Sequence, residues 1–288
     1  MDYTCAAALE VTGTPRWRAP EGACDCHFHI FGPYDRYPLS AQRPYTPPPA
    51  TIPHYLTAAR ALGLTRFIIV QASVYGTDNA VTLDAVDGLG AAHARAVVVV
   101  DDSVDDAALR AMHARGARGV RFNAVSGNGT PLDQLRALAR RIAPLGWHIQ
   151  IYAKGAGMLE LAPVLAELPV PIVLDHMGGA PAAEGPDGAV VRAVLKLLEN
   201  GRSWIKLSGY RSSAAPWTDL APLARRYIAA AGDRCVWGTD WPHTQITRPE
   251  DMLDDAVLFD WLGEWTRDDA QRRRILVENP DRLYFAPV

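Results

Sequence analysis

The strongest constraint on this chain is a rhythm. Short continuous apolar runs alternate with stretches of helical period: the runs are Arg66–Gln71, Ala96–Val100, Gly119–Asn123, Trp147–Tyr152, Pro171–Asp175, Trp204–Ser208 and Cys235–Thr239. Between them lie helix-length segments near Pro53–Gly63, Asn79–His93, Asp105–Arg115, Leu132–Leu145, Met158–Glu167, Ala189–Asn200 and Leu220–Ala231, and helical sequence follows from Met252 to Val277. A strand that is apolar without alternation is buried on both faces, as in a parallel sheet covered by helices. With Ala23–Phe31 as a first strand there are eight repeats, which fits a (β/α)8 TIM barrel better than an open doubly wound sheet. No strand leads into Gly-x-Gly-x-x-Gly and no P-loop is present, which argues against the open sheet. The expectation is one α/β domain, a (β/α)8 barrel over residues 22–288. Residues 1–21, punctuated by Gly13, Pro15 and Pro20, form an arm that caps the outside of the fold.

Composition removes several function classes. A hydrophobic share of 49% with 21% charged residues is that of a globular protein with a substantial core. The net charge of −3 gives no footprint for nucleic acid. Cys5, Cys24, Cys26 and Cys235 form neither a structural zinc spacing nor a disulfide framework. No basic-then-apolar leader is visible, and no apolar segment nears the ~20 residues of a membrane span. We therefore expect a cytoplasmic chain with neither nucleic-acid nor membrane partners. Oligomeric state is not legible.

In such a barrel, chemistry sits at the C-terminal ends of the strands. On the first strand, alternation puts Asp25, His27 and His29 on one face and Cys24, Cys26, Phe28 and Ile30 on the other. Later strand ends offer Gln71 and Ser73, Arg121 and Asn123, Tyr152, His176 and Ser208. The eighth ends in Gly238-Thr239-Asp240-Trp241-Pro242-His243. Each has a plainer reading: Asp240 as a helix N-cap, His176 as a backbone hydrogen-bond partner, Arg121 as an ion-pair partner for Asp101 or Asp102. Asp175 reads as structural, turned away from the mouth. Three histidines and an aspartate at matching strand ends nevertheless point to an enzyme site. The proline-rich loop Pro44–Pro49 carries Tyr45 and reads as a lid over the mouth.

Asp25-Cys26-His27-Phe28-His29, Asp175-His176-Met177-Gly178 and Gly238-Thr239-Asp240-Trp241-Pro242-His243 together resemble the amidohydrolase superfamily. Within it, the chain resembles the branch of 2-pyrone-4,6-dicarboxylate lactonases and sugar-lactone hydrolases, from about residue 22 to 285. The resemblance implies a metal-independent lactonase of aromatic-compound catabolism, acting on a small carboxylated lactone. Asp240 would be the general base, and His27, His29 and His176 would polarise the lactone carbonyl by donating hydrogen bonds. Tyr45, Ser73, Arg121, Tyr152, Arg211 and His243 would hold the substrate, Arg121 as a carboxylate clamp.

Many superfamily members hold one or two metals, through the first-strand histidines, the eighth-strand aspartate and a fifth-strand histidine. Here Tyr152 stands at the fifth strand's mouth. His148 lies four residues earlier, roughly 13 Å deeper at ~3.3 Å per residue. The expected cofactor is therefore none, with zinc on His27, His29, Asp240 and His176 as the alternative. One departure is that the dicarboxylate lactonases carry a further arginine soon after the one matching Arg121. This chain has Ala124-Val125-Ser126-Gly127-Asn128-Gly129 there, which makes a monocarboxylate or sugar-acid lactone plausible. Competing functions are a zinc-dependent decarboxylase, a lactone isomerase and a non-catalytic ligand-binding barrel.

Overall fold

The structure, a computed structural model, describes residues 3–126, 128–214, 217 and 219–286. Eight parallel strands follow one another around a single sheet: β1 (Cys24–Phe28), β2 (Arg66–Val70), β3 (Ala94–Val98), β4 (Ala117–Asn123), β5 (His148–Tyr152), β6 (Ile172–Leu174), β7 (Ser203–Leu207) and β8 (Cys235–Trp237). The sheet closes where β8 meets β1. Asp240 N–H donates to His27 O at 2.7 Å and His29 N–H to Trp241 O at 2.8 Å. Helices α1 (Ile52–Leu62), α2 (Ala80–Leu89), α3 (Asp106–Ala114), α4 (Leu135–Ile142), α5 (Gly155–Ala166), α6 (Ala189–Leu198) and α7 (Leu220–Ala231) lie between successive strands. After β8 come α8 (Asp255–Trp265) and the short α9 (Asp269–Arg273). This is the (β/α)8 barrel that the alternation predicts.

Two layers of core follow from the strand period of two. One face of each strand meets the helices, where Phe67, Ile69, Ala96, Val120, Ile151, Leu174, Ile205 and Trp237 pack. The other face fills the barrel's lower half with Cys24, Cys26, Ile68, Val70, Val97, Val173, Trp204 and Val236, closed below by Tyr284.

That lower layer corrects the reading of the first strand. Asp25 pairs with Phe67 but Phe28 with Ile69, so β1 carries one residue more than β2 over this span. Such a bulge shifts side-chain parity. Cys24 and Cys26 face inward, His27 and His29 also face inward above them, and Asp25 turns out towards α1. There it accepts from Tyr55 Oη (2.8 Å), Thr239 Oγ1 (2.6 Å), Thr239 N (3.1 Å) and His27 N (2.9 Å). Burial pushes its carboxyl up to about 6 despite those four donors. Asp25 therefore ties β1 to β8 and is not part of the mouth.

The arm before β1 runs over α8. Arg16 Nε meets Asp260 at 2.9 Å, Trp17 stacks on Phe259 at 4.0 Å, and Thr12 Oγ1 donates to Asp254 at 3.0 Å. Its start pairs with the proline-rich loop through the Thr4–Thr46 bridge, and Tyr34 Oη holds that loop by donating to Pro47 O at 2.6 Å. No helix among the described residues is long and apolar enough to cross a membrane.

Candidate active site

Gly238 lets β8 come close enough to build the site. A Cβ there would stand 2.6 Å from the His27 Cβ, so only glycine allows β8 to cross β1 at this level. Just beyond it, Asp240 and His243 adopt left-handed backbone (φ 63° and 60°), as do His176 and Met177 after β6 (φ 49° and 56°). Non-glycine residues in this region carry strain of about 1–3 kcal/mol each, and such strain clusters at functional sites.

Asp240 is the centre. Its Oδ2 accepts from Tyr210 Oη at 2.7 Å and from Arg211 Nε. Its Oδ1 lies 3.5 Å from His27 Nε2 and 3.4 Å from His29 Nε2, fully buried and without a hydrogen-bond partner among the described residues. Burial opposes its ionisation, but the Arg211 guanidinium on Oδ2 holds its pKa well below the ordinary carboxylate range.

The histidines are fixed from behind. His29 Nδ1 lies 2.7 Å from Val70 O; a carbonyl only accepts, so Nδ1 carries the proton. Burial lowers the His29 pKa against the pull of Asp240, and the neutral ring presents an Nε2 lone pair to the site. His29 is therefore an acceptor there, which corrects the expectation that it donates to a carbonyl. His176 Nδ1 meets Ser208 Oγ at 2.9 Å, and burial lowers this imidazole to about 3. A hydroxyl can give or take, so His176 is free to donate from Nε2.

Beneath them lies a charged layer. Asp175 is inside the barrel, not turned away as expected. Its Oδ1 is 3.3 Å from His27 Nδ1 and 3.5 Å from Lys206 Nζ, while Oδ2 faces Arg121 Nε (3.4 Å) and accepts from Gln150 Nε2 (3.0 Å). Burial would raise its pKa, but Lys206, and after it Arg121, hold it well below the ordinary range. Arg121 thus pairs with Asp175 and with Gln71 O (3.3 Å), not with Asp101 or Asp102.

The remaining expected residues are placed unequally. Tyr152 sets its ring against His176 at 4.6 Å, and its buried hydroxyl has no partner among the described residues. Arg211 holds Asp240 and donates to Thr244 O at 3.1 Å. Tyr45 is buried at the mouth, hydrogen-bonded to Thr244, its phenol pushed up to about 12 by burial. Ser73 Oγ accepts from Asn123 Nδ2 at 2.9 Å and meets Ser126 Oγ at 3.0 Å, and Asn128 Nδ2 donates to Ser73 O at 2.6 Å. Ser126 and Asn128 therefore fold onto Ser73; Gly127 lies outside the described residues. His243 stands back from the cluster, with Nε2 on Asp255 at 3.1 Å and its ring 5.3 Å from Tyr210. Lys206, Tyr210 and Gln150 escaped the sequence reading. Lys206 had a signal: a lysine inside the apolar run Trp204-Ile205-Lys206-Leu207 must find partners once buried. Tyr210, in an irregular loop, had none.

By residue type this set could hold a metal. His27, His176 and Asp240 each offer an atom within 4.8 Å of the others, and His29 Nε2 adjoins them. The surroundings do not suit a divalent cation. Two carboxylates, Asp175 and Asp240, already face three cations, Lys206, Arg121 and Arg211. Asp240 has one oxygen taken by Arg211 and Tyr210, and the mouths of β4 and β5 carry Arg121 and Tyr152. The excess charge is positive, which suits an anionic ligand.

These features are those of a barrel hydrolase site, and the chain belongs to the amidohydrolase family, whose model matches residues 24–286. A Comamonas testosteroni protein named 2-pyrone-4,6-dicarbaxylate hydrolase is 36% identical over 285 residues, covering 94% of this chain and 92% of its own. The D-galactarolactone isomerase of Agrobacterium fabrum is 34% identical over 288 residues, 97% of each chain. An apo crystal structure of an Agrobacterium tumefaciens protein superposes with a TM-score of 0.85 at 33% identity, covering 95% of this chain and 100% of that one.

Proposed function

We propose that this enzyme hydrolyses a lactone ring on a small carboxylated substrate, of the 2-pyrone-4,6-dicarboxylate or sugar-acid class, without a metal. The observation that carries the proposal is the unpartnered Asp240 Oδ1, set beside one imidazole lone pair and two potential imidazole donors in a site with excess positive charge. Asp240 Oδ1 and His29 Nε2 are acceptors 3.4 Å apart; a water giving one proton to each is oriented for attack. Asp240 takes a proton as the water oxygen bonds to the lactone carbonyl carbon. His27 and His176 donate to the carbonyl oxygen as it becomes an oxyanion, each such donor supplying about 2.7–4 kcal/mol to the transition state. The intermediate collapses by breaking the acyl–ring-oxygen bond, and the leaving oxygen recovers the proton from Asp240. Substrate carboxylates bind at Arg211 and Arg121. An anion that draws Arg211 away from Asp240 also releases the aspartate from the ion pair that suppresses its basicity.

A second reading is lactone isomerisation, favoured by the relative named D-galactarolactone isomerase. Asp240 would then deprotonate a substrate hydroxyl, and the acyl group would migrate to it. Zinc-dependent decarboxylation is disfavoured by the charge balance around Asp240. The test is a screen of 2-pyrone-4,6-dicarboxylate and aldarolactones with the purified protein, with metal content measured before and after chelation. Turnover that persists in metal-free protein, and falls about 10²–10⁴-fold in Asp240→Asn, supports the proposal. Activity tied to stoichiometric zinc would overturn the metal-free mechanism. Product analysis separates an opened acid from a shifted lactone, and binding without turnover would indicate a non-catalytic barrel.

A further inference from the structure

Lys206 lies on β7, its side chain fully buried inside the barrel beneath the histidines. Its Nζ donates to Gln150 Oε1 at 2.7 Å, sits 3.5 Å from Asp175 Oδ1, and makes a 3.3 Å hydrogen bond with His27 Nδ1. Burial lowers the Lys206 pKa, but the Asp175 carboxylate opposes that and keeps the amine an ammonium; an ammonium has three donors and no lone pair, so towards Nδ1 it can only donate. Nδ1 must then be the unprotonated nitrogen and Nε2 the protonated one. Asp175 Oδ1 is equally near Nδ1, at 3.3 Å, but makes no hydrogen bond with it. A proton on Nδ1 would point at a cation. Burying a lysine is costly, and an apolar side chain of similar length would fill the same space more cheaply, so its position calls for a use.

We propose that Lys206 is a positioning residue that fixes His27 in the tautomer bearing its proton on Nε2, so that this ring meets the site as a hydrogen-bond donor. His29 is set the opposite way by Val70 O. Two neighbouring imidazoles, 5.0 Å apart, are thus held in opposite tautomers, one by an ammonium and one by a carbonyl. A donor and an acceptor stand side by side against Asp240. With its lone pair turned down to Lys206, His27 cannot ligate a metal from the nitrogen that faces the site. The catalytic use of this donor rests on the lactone reading above; the tautomer does not.

The experiment is long-range ¹H–¹⁵N correlation on the full chain labelled in its histidines, the His27 ring assigned by its loss in His27→Asn. At neutral pH His27 should carry its proton on Nε2 and His29 on Nδ1. In Lys206→Met, His27 should switch to the Nδ1–H form, with Asp175 as its new acceptor. The kcat on a lactone should fall about 10²–10³-fold, with KM moving less than about threefold. A parent spectrum showing His27 protonated on Nδ1 overturns the proposal, and it decides the matter even if Lys206→Met does not fold. So does a His27 tautomer that Lys206→Met leaves unchanged. The expected tautomers in a protein that turns over no lactone would uphold the positioning role and sink only the lactone reading.

Discussion

His148 and His176 both lie inside the barrel, and burial drives both imidazoles down to about 3. Their surroundings differ in every other respect. His148 opens β5 at the barrel floor, where neither nitrogen has a hydrogen-bond partner among the described residues and the ring meets Tyr284 edge-on at 5.3 Å. His176 follows β6 at the mouth on left-handed backbone, bonded to Ser208 and packed 4.6 Å from Tyr152 and 4.8 Å from His27. Close-approach glycines serve both levels, floor and mouth. Gly119 makes room for the His148 ring as Gly238 does for the His27 backbone. A depressed pKa thus records burial, which the two share. Convergence with other polar groups at the strand ends is what singles out a site, and only His176 has it.

The largest expected effect separates the two histidines by activity. His176→Leu removes a carbonyl donor and should lower lactone kcat about 10²–10³-fold, whereas His148→Leu should leave it within about twofold. Steady-state kinetics on both variants, with matched circular dichroism, check this. A tenfold loss in a well-folded His148→Leu would erase the distinction between floor and mouth.

That distinction was half legible in the sequence. Periodicity placed every strand after the first within a few residues, because buried parallel strands must be continuously apolar. Spacing along β5 set His148 too deep. His27, His29, His176, Asp240 and Tyr152 were nameable from strand ends and Arg211 from the family resemblance, and the structure brings them together. The bulge in β1 was not legible, since one extra residue in a ladder leaves no compositional mark, and it moved Asp25 from the mouth to the outer face. The partner of Arg121 was also hidden: Asp175 lies 54 residues away and meets it only across the barrel. Strict alternation and local neighbours misplaced both aspartates, because each is oriented by a non-local contact.

A smaller effect probes the floor. A Cβ on Gly119 would lie 2.5 Å from His148 Nε2, so Gly119→Ala overpacks a layer without space to yield. Urea unfolding should show a loss of about 1–3 kcal/mol. The double variant with His148→Leu should depart from additivity by more than about 0.5 kcal/mol, because the two sites touch. Strict additivity would mean that the ring moves aside without cost, and that the floor is looser than its packing indicates.

The smallest effect concerns acid stability. With a folded pKa of about 3 against an ordinary value of about 6.5, His148 binds less proton in the folded than in the unfolded chain between those limits. The unfolded state therefore gains relative to the fold as pH drops below about 6.5, and stability rises with pH across this window. One such group contributes a slope approaching 1.4 kcal/mol per pH unit where the unfolded imidazole is protonated and the folded one is not. Leucine cannot take a proton in either state, so His148→Leu should flatten the dependence of unfolding free energy on pH between about 4 and 6 by up to one proton. His176 contributes with the same sign and remains in that variant, so a residual slope is expected. Equal slopes in the parent and His148→Leu would mean that His148 binds its proton as readily in the fold as in the unfolded chain, and that burial at the floor does not depress its pKa as it does that of His176.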